Sequence, residues 1–443
     1  MEKTKGSRTK WLLTLAGGVT MAAAMTGCGG SGSNAVPVAL PGVTLHGSIH
    51  GGQQPVAGAT VQLYAANLSG GYGSSSTALL SATVTTTASG GFSISGLYRC
   101  PSASSLVYLV GTGGNPGLGR NNANLALMAA LGPCGSLSSS TPVSINELTT
   151  VATVYALAPF MSSYSAVGTS AGNVQGLTNA FATINSLVNI GSGTVSGPAL
   201  PANAVLPVSE LNTLADIVAA CVNSAGGIAK DGSVCGSLFQ YTTASGGSAP
   251  TDTVGAALNI AKSPGSNVAS LLALTPLQAP FQPTLSSAND FTVSIHYKTA
   301  GISSPSAAAV DGGGNVWVTN AGNNTVTVLS ASGAPVAGSP FSGGGLSSPS
   351  AIAIDPSGNG WITDAGSSML SVFTPTGSGV QTAVTGLASP SGVAMDSQGL
   401  LWITNAGNST VTQVTTSGIT ATTMGSYGAG GIYAPVAVAI SPY

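Results

Sequence analysis

The residues best suited to chemistry in this chain are few and mostly stand apart. Gly168-Thr169-Ser170-Ala171-Gly172 has the spacing G-x-S-x-G, in which a serine on a sharp strand-to-helix turn acts as a nucleophile. That chemistry also needs an acid and a histidine later in the chain. The sole downstream His is His296, and helical patterns flank the motif, so a loop of small residues accounts for it. His46 and His50 sit four residues apart in a strand pattern, which puts them on one face. A metal there would lack a third ligand. No phosphate-binding glycine loop, dinucleotide fingerprint or H-E-x-x-H pair occurs. Beyond residue 300 there is no His and no Glu, only Asp311, Asp355, Asp364 and Asp396. One carboxylate outside a repeated turn cannot cage a hard cation. No cofactor, no metal and no catalytic residue are therefore expected.

The cysteines carry a different chemistry. Cys28 follows Met25-Thr26-Gly27, and Cys100, Cys134, Cys221 and Cys235 remain beyond it. An even number without C-x-x-C spacing or a nearby His reads as disulfides in an oxidising compartment. Proximity favours Cys100 with Cys134 and Cys221 with Cys235. The second bridge would close a 15-residue loop, worth roughly 3 kcal/mol on the chain-entropy model.

The elements that must position these groups are clearest in the last third. Ser304-Pro305-Ser306, Ser348-Pro349-Ser350 and Ser389-Pro390-Ser391 open three copies of one sentence, and Ala434-Pro435 begins a fourth. The prolines are spaced 44, 41 and 45 apart, with Trp317, Trp361 and Trp402 in step. A period of this size with four short strands is that of a β-propeller blade. In each copy an Asp (Asp311, Asp355, Asp396) opens a tight turn and accepts backbone N–H bonds, with a Gly at its end. A second turn follows at Asn320-Ala321-Gly322, Asp364-Ala365-Gly366 and Asn405-Ala406-Gly407.

These residues resemble the NHL repeat, P-x-G-I-A-V-D-x-x-G-N-V-Y-V-A-D-x-x-N-N-R-I, over about 290–443. Where many members of that family have Arg, this chain has Thr325, Met369 and Thr410, and Lys298 is the only basic residue after 290. Phosphate neutralisation needs Lys or Arg, so no nucleic-acid partner is expected. In the family's geometry the second turns and the Ser-Pro-Ser linkers share one face. The resemblance therefore implies a binding face of Asn320, Asn323, Asn324, Asp364, Asn405 and Asn408. Three blades and a strand are too few for a closed ring, so an open arc is expected, with the alternating 290–298 segment as an outer strand. Virginiamycin B lyase and the gluconolactonases are propellers of related appearance that use His or acidic metal ligands, which makes a lyase or lactonase the alternative.

Composition fixes the setting. Charged residues make up 5% of the chain, against roughly 25% in an ordinary soluble protein. Lys3, Lys5, Arg8 and Lys10 precede the apolar run from Trp11 to Ala24. Residues 1–27 read as a targeting segment, and Met25-Thr26-Gly27-Cys28 resembles a bacterial lipobox, which implies acylation of Cys28. The mature chain would carry five basic and ten acidic side chains on a Gly/Ser-rich tether, 28–40. Its expected place is the cell envelope, more at the outer membrane or cell surface than at the inner membrane.

Between tether and blades two regions are expected. Residues 41–115 alternate with period two between Gly and Pro turns and read as a small β-sandwich. The run Pro55-Val56-Ala57-Gly58-Ala59-Thr60-Val61 and the later Gly90-Gly91-Phe92 resemble the carboxypeptidase regulatory-like domain, a transthyretin-like fold used as a spacer. Residues 121–285 turn to helical periodicity. Helices are expected over 146–157, 176–187, 209–221 with Ser209 as N-cap, 253–261 behind Asp252, and 267–274 behind Ser266. The whole reads as a multidomain α and β chain: β-sandwich, helical domain, then a partial propeller of about three to four blades at 290–443. Its expected function is non-catalytic binding of a protein or glycan by a lipid-anchored scaffold, with the membrane as the other partner.

Overall fold

In the computed structural model the described residues are 39–140, 142–298 and 301–440. The expected leader, most of the expected tether and Cys28 lie outside them. The described chain is mixed α/β, with strands predominating.

Period-two burial builds the first elements. β1 (Leu45–Gly51) buries Leu45 and Ile49, and β2 (Thr60–Ala65) buries Val61, Leu63 and Ala65. β3 (Gly91–Ile94) buries Phe92 and Ile94. β4 (Leu106–Thr112) is buried on both faces up to Gly111. β5 (Ala126–Pro133) and β6 (Val143–Ile145) complete the set. One antiparallel sheet runs β5-β4-β2 and then Thr77–Ala78, with Val84–Thr85 also on β2. The other runs β6-β1 and then Gln54–Pro55, with β3 on β1; β6 lies parallel to β1. The sheets meet where Ile49 reaches Gly111, so closely that a Cβ at Gly111 would overlap its Cδ1.

Among the described residues six α-helices follow: α1 (Glu147–Leu157), α2 (Val174–Leu187), α3 (Val208–Val222), α4 (Val234–Tyr241), α5 (Thr253–Lys262) and α6 (Val268–Leu272). Asn146 caps α1 with Thr149 in a reciprocal box, and Asp252 caps α5 through Gly255 N. Two expected caps differ. Pro207 occupies the N-cap of α3, which puts Ser209 inside the first turn. Asn267, not Ser266, precedes α6, in left-handed backbone with φ of 52° and no capping side chain. α4, with Ser233 as its cap, was not expected from the pattern.

The helices close a sheet edge. β5 would present unpaired N–H groups at Ala126, Met128 and Ala130. They donate to Thr253 Oγ1 (3.0 Å), Thr150 Oγ1 (2.9 Å) and Thr153 Oγ1 (3.2 Å) of α5 and α1. One apolar core then runs from Leu45 to Phe291 across sheets and helices. The stretches 41–115 and 121–285, expected as separate domains, share that core, and the boundary between them falls inside the β4–β5 hairpin. Disulfides join Cys100 to Cys134 and Cys221 to Cys235.

Three blade-like sheets follow. The first holds β7 (Pro305–Val310), β8 (Val316–Asn320) and β9 (Thr325–Leu329), with Phe341 bridging Val326 at its outer side. The second holds β10 (Pro349–Ile354), β11 (Gly360–Asp364), β12 (Met369–Phe373) and β13 (Gly379–Thr382). The third holds β14 (Pro390–Met395), β15 (Leu400–Asn405), β16 (Thr410–Ser417) and β17 (Thr420–Tyr427). Every neighbouring pair is antiparallel and consecutive, as in a partial propeller. The inner strand β7 lies beside β10, and β10 beside β14. Two apolar clusters of their own, around Trp317 and Trp361, hold the blades together. The 290–298 segment is not a blade strand: His296–Tyr297 pairs with Ala204–Val205, just ahead of α3.

Candidate functional site

The repeated Asp of each blade is consumed by its turn. Asp311 Oδ1 accepts from Gly313 N and Asn315 N, both at 2.9 Å, and its Oδ2 accepts from Trp317 Nε1 at 3.0 Å. Asp355 does the same for Ser357, Asn359 and Trp361, and Asp396 for Gln398, Leu400 and Trp402. Bonds that favour the charged carboxylate lower its pKa. Burial works against this at Asp311, but the bonds from Trp317 and Asn315 outweigh it. At Asp396 the Trp402 bond leads the depression.

Asn320, Asp364 and Asn405, expected on the binding face, are fully buried. Each ends the second strand of its blade and turns inward to hold the linker ahead of the first strand. Asn320 Oδ1 accepts from Ser303 N (3.2 Å), Asp364 Oδ1 from Ser347 N (3.0 Å), and Asn405 Oδ1 from Ala388 N (3.2 Å). The other half of each group fits its partner's chemistry. The amides donate to Thr327 Oγ1 and Thr412 Oγ1, whereas the carboxylate of Asp364, having nothing to donate, accepts from Ser371 Oγ at 2.6 Å. Burial raises the Asp364 pKa, with the Ser371 bond opposing it.

Asn323, Asn324 and Asn408 are exposed on the second turns. Asn324 Oδ1 takes Ser348 N at 2.8 Å, Ser368 Oγ takes Ser389 N, and Ser409 Oγ takes Ala434 N. These bonds put each turn beside the next blade's linker, so turns and linkers do lie at one end. The last serine of each Ser-Pro-Ser is a rivet. Ser306, Ser350 and Ser391 donate through Oγ to the carbonyls of Pro349, Pro390 and Pro435, each the opening proline of the next repeat. What remains outward at this end is neutral and rich in Asn and Ser.

Ser170 of the G-x-S-x-G stretch follows the two-residue strand Ala166–Val167 and precedes α2, but no His side chain bonds it among the described residues. His46 and His50 share a cleft of about 940 Å³ with Asn212, Phe281 and Gln282. Burial lowers the pKa of His50. Behind that cleft lie two acids that pattern reading passed over. Glu147 on α1 and Asp216 on α3 are both fully buried. Both oxygens of Glu147 accept from Gly52 N, at 3.0 and 2.9 Å. Asp216 Oδ1 accepts from Phe281 N at 3.1 Å. Burial pushes Glu147 up to about 8, with the nearby Asp216 adding to it, and burial pushes Asp216 up to about 7. Asp216 sits within Leu214-Ala215-Asp216-Ile217-Val218, and a lone charge inside such an apolar run is the signal that could have found it. Among the described residues no group of three or more His, Cys, Asp or Glu gathers as a metal would require of those types alone.

Residues 387–414 match the NHL repeat. No curated protein matches the chain. Similar solved structures include virginiamycin B lyase from Staphylococcus aureus, 20% identical, with a TM-score of 0.27, covering 30% of this chain and 45% of the lyase. A putative gluconolactonase is 13% identical at a TM-score of 0.24, covering 30% of this chain and 52% of that one. A putative 6-phosphogluconolactonase from Bacteroides uniformis is 14% identical at 0.25, covering 28% and 41%. The chain thus spans about half or less of the length of each of these proteins.

Proposed function

We propose that this chain is a lipid-anchored envelope protein whose NHL-type blades serve as a non-catalytic scaffold for a protein or glycan. In this reading residues 1–27 are a lipoprotein leader, Cys28 is acylated, and 41–115 is a carboxypeptidase regulatory-like spacer. The anchor places the protein at the outer membrane or cell surface. The observation that carries the reading is the fate of the blade carboxylates. Asp311, Asp355 and Asp396 each hold a turn and a Trp, and Asp364 is buried on Ser371. The exposed side chains at the turn-and-linker end are amides and hydroxyls, which suit neutral hydrogen-bonding ligands carried on a rigid frame.

Binding is tested with detergent-solubilised full-length protein on a glycan array. The expected result is a selective signal that falls at least ten-fold in an Asn323→Arg, Asn408→Arg double variant. Both positions are exposed, so the blades should stay folded. Turnover of a lactone panel by the wild-type protein, or array binding indifferent to the double variant, overturns the reading.

Anchoring is tested separately. Globomycin should leave uncleaved precursor in cells, and Cys28→Ala should move the protein out of the membrane fraction. A Cys28→Ala protein that stays membrane-bound and normally processed sinks this part.

A further inference from the structure

The cleft that holds His46 and His50 is walled by segments fixed through their own hydrogen bonds. On one side α3 straps the 281–285 segment to itself. Asp216 Oδ1 accepts from Phe281 N, Asn212 Nδ2 donates to Pro283 O at 3.1 Å, and Thr213 Oγ1 accepts from Leu285 N at 2.8 Å. Phe281 and Gln282 of that strap line the cleft. The 191–194 loop forms a second side. Asn189 Oδ1 accepts from Gly191 N and Ser192 N, and Asn146 Nδ2 donates to Gly193 O. Gly193, with φ of 69°, comes so close to β6 that a Cβ there would lie 2.5 Å from Ser144 Oγ. The third side is the outward face of β1, where His46, Ser48 and His50 alternate with the buried Leu45, Ile49 and Gly51.

The polar groups on these walls are neutral and hold bonding capacity in reserve. Asn212 is 2% exposed, and with its amide N–H committed to Pro283 its Oδ1 accepts from no donor among the described residues. A buried acceptor left unpaired is costly, and a ligand that donates to it removes the cost. The Ser48 hydroxyl and the His46 and His50 imidazoles likewise have no hydrogen-bond partner among the described residues. Burial favours the neutral form of His50. No Asp, Glu, Lys or Arg lines the cleft. An anion would meet no cation here, and Glu147 and Asp216 lie buried behind the wall. An extended peptide would find no free strand edge at β1, which is paired with β6 on one side and β3 on the other.

We propose that this cleft binds a neutral saccharide, with Asn212 Oδ1, Ser48 and His50 on its hydroxyls and Phe281 against its ring. Sugar hydroxyls both donate and accept, as do serine, imidazole and carboxamide groups, so each wall group meets its match without a charge. The Phe281 ring supplies the apolar flank that such sites combine with a few fixed polar groups. The cleft, at about 940 Å³, stands at the upper end of small-ligand sites, which fits a short oligosaccharide better than a single sugar. Walls held by their own bonds need little ordering when the ligand enters. The site belongs to the sheet-and-helix core and does not rest on the blade reading above.

The test uses full-length protein in a sugar-free detergent, titrated calorimetrically with maltotriose, cellotriose and chitotriose. At least one should bind saturably at one site per chain. Ser48→Tyr, which fills the cleft from the half-buried middle of β1, should weaken that binding about ten-fold or more. A second readout needs no variant and decides alone if Ser48→Tyr fails to fold. Diethyl pyrocarbonate modifies neutral imidazoles, and of the three His in the chain only His296 lies outside the cleft. Bound saccharide should slow modification of His50 several-fold and leave His296 unchanged, as read by peptide mass spectrometry. No saturable binding from any of the three sugars overturns the site, and so does binding that a folded Ser48→Tyr protein leaves intact. Saccharide binding that leaves His50 as reactive as before also overturns it, and assigns the sugar to the blades instead.

Discussion

Trp361→Ala is expected to cost about 3–5 kcal/mol and to melt the blades at far lower urea than the wild type. Trp361 is fully buried between the second and third blades, clustered with Leu370, Val393, Leu401 and Ile403. Its removal opens a cavity at the centre of that cluster and takes one of the donors from Asp355 Oδ2. Three of the four Trp residues lie in the blades and the fourth is Trp11, so fluorescence reports this region selectively. Trp402 supplies an internal contrast. It is only partly buried, stacked on Tyr427 with ring centroids 6.1 Å apart, and its replacement should shift the midpoint much less. Equal shifts for the two, or no shift for Trp361→Ala, would contradict the packing.

The second large effect is a loss of stability as pH rises. Glu147 is raised from 4.5 to about 8 and Asp216 from 3.8 to about 7 in the folded state. Between those limits the folded chain holds protons that the unfolded chain has already released, so unfolding becomes easier with each step up in pH. The loss begins near the unfolded values and is complete above about pH 8. Asp311 and Asp396, lowered by their turn bonds, act in the opposite sense and lose their contribution below the ordinary carboxylate range. His50, lowered by burial, adds a cost below its ordinary 6.5. Melting at pH 5, 7 and 9 should therefore give the highest midpoint near pH 5 and the lowest at pH 9, with Asp216→Asn flattening the slope. A midpoint that is level or rises from pH 5 to 9 rejects the assignment.

Much of the blade architecture is legible in the sequence because its determinants are local. The Asp turn, the Trp six residues on and the Gly between them interact within one hairpin, so each copy states its own geometry. The candidate face was half legible. Asn320, Asp364 and Asn405 look like exposed turn amides in sequence, yet each is turned inward by a linker N–H 17 residues earlier. The serines of Ser-Pro-Ser were unreadable for the same reason, since their acceptor is a carbonyl 40 to 44 residues away. The threonines of α1 read as ordinary helix residues. Only the pairing of β5 reveals that they finish a sheet, and with it that sheets and helices share one core. Glu147 was hidden by position, since an acid just after an N-cap is what the helix dipole favours in any exposed helix.

The serine rivets and turn bonds between blades have one further consequence. Every one of them joins neutral groups: hydroxyl to carbonyl, backbone N–H to amide or hydroxyl. Mobile ions weaken the attraction of charges but leave such short neutral contacts almost untouched. The seams between these blades are therefore expected to hold alike in dilute medium and in brine, so the frame keeps its shape while the salinity around it changes.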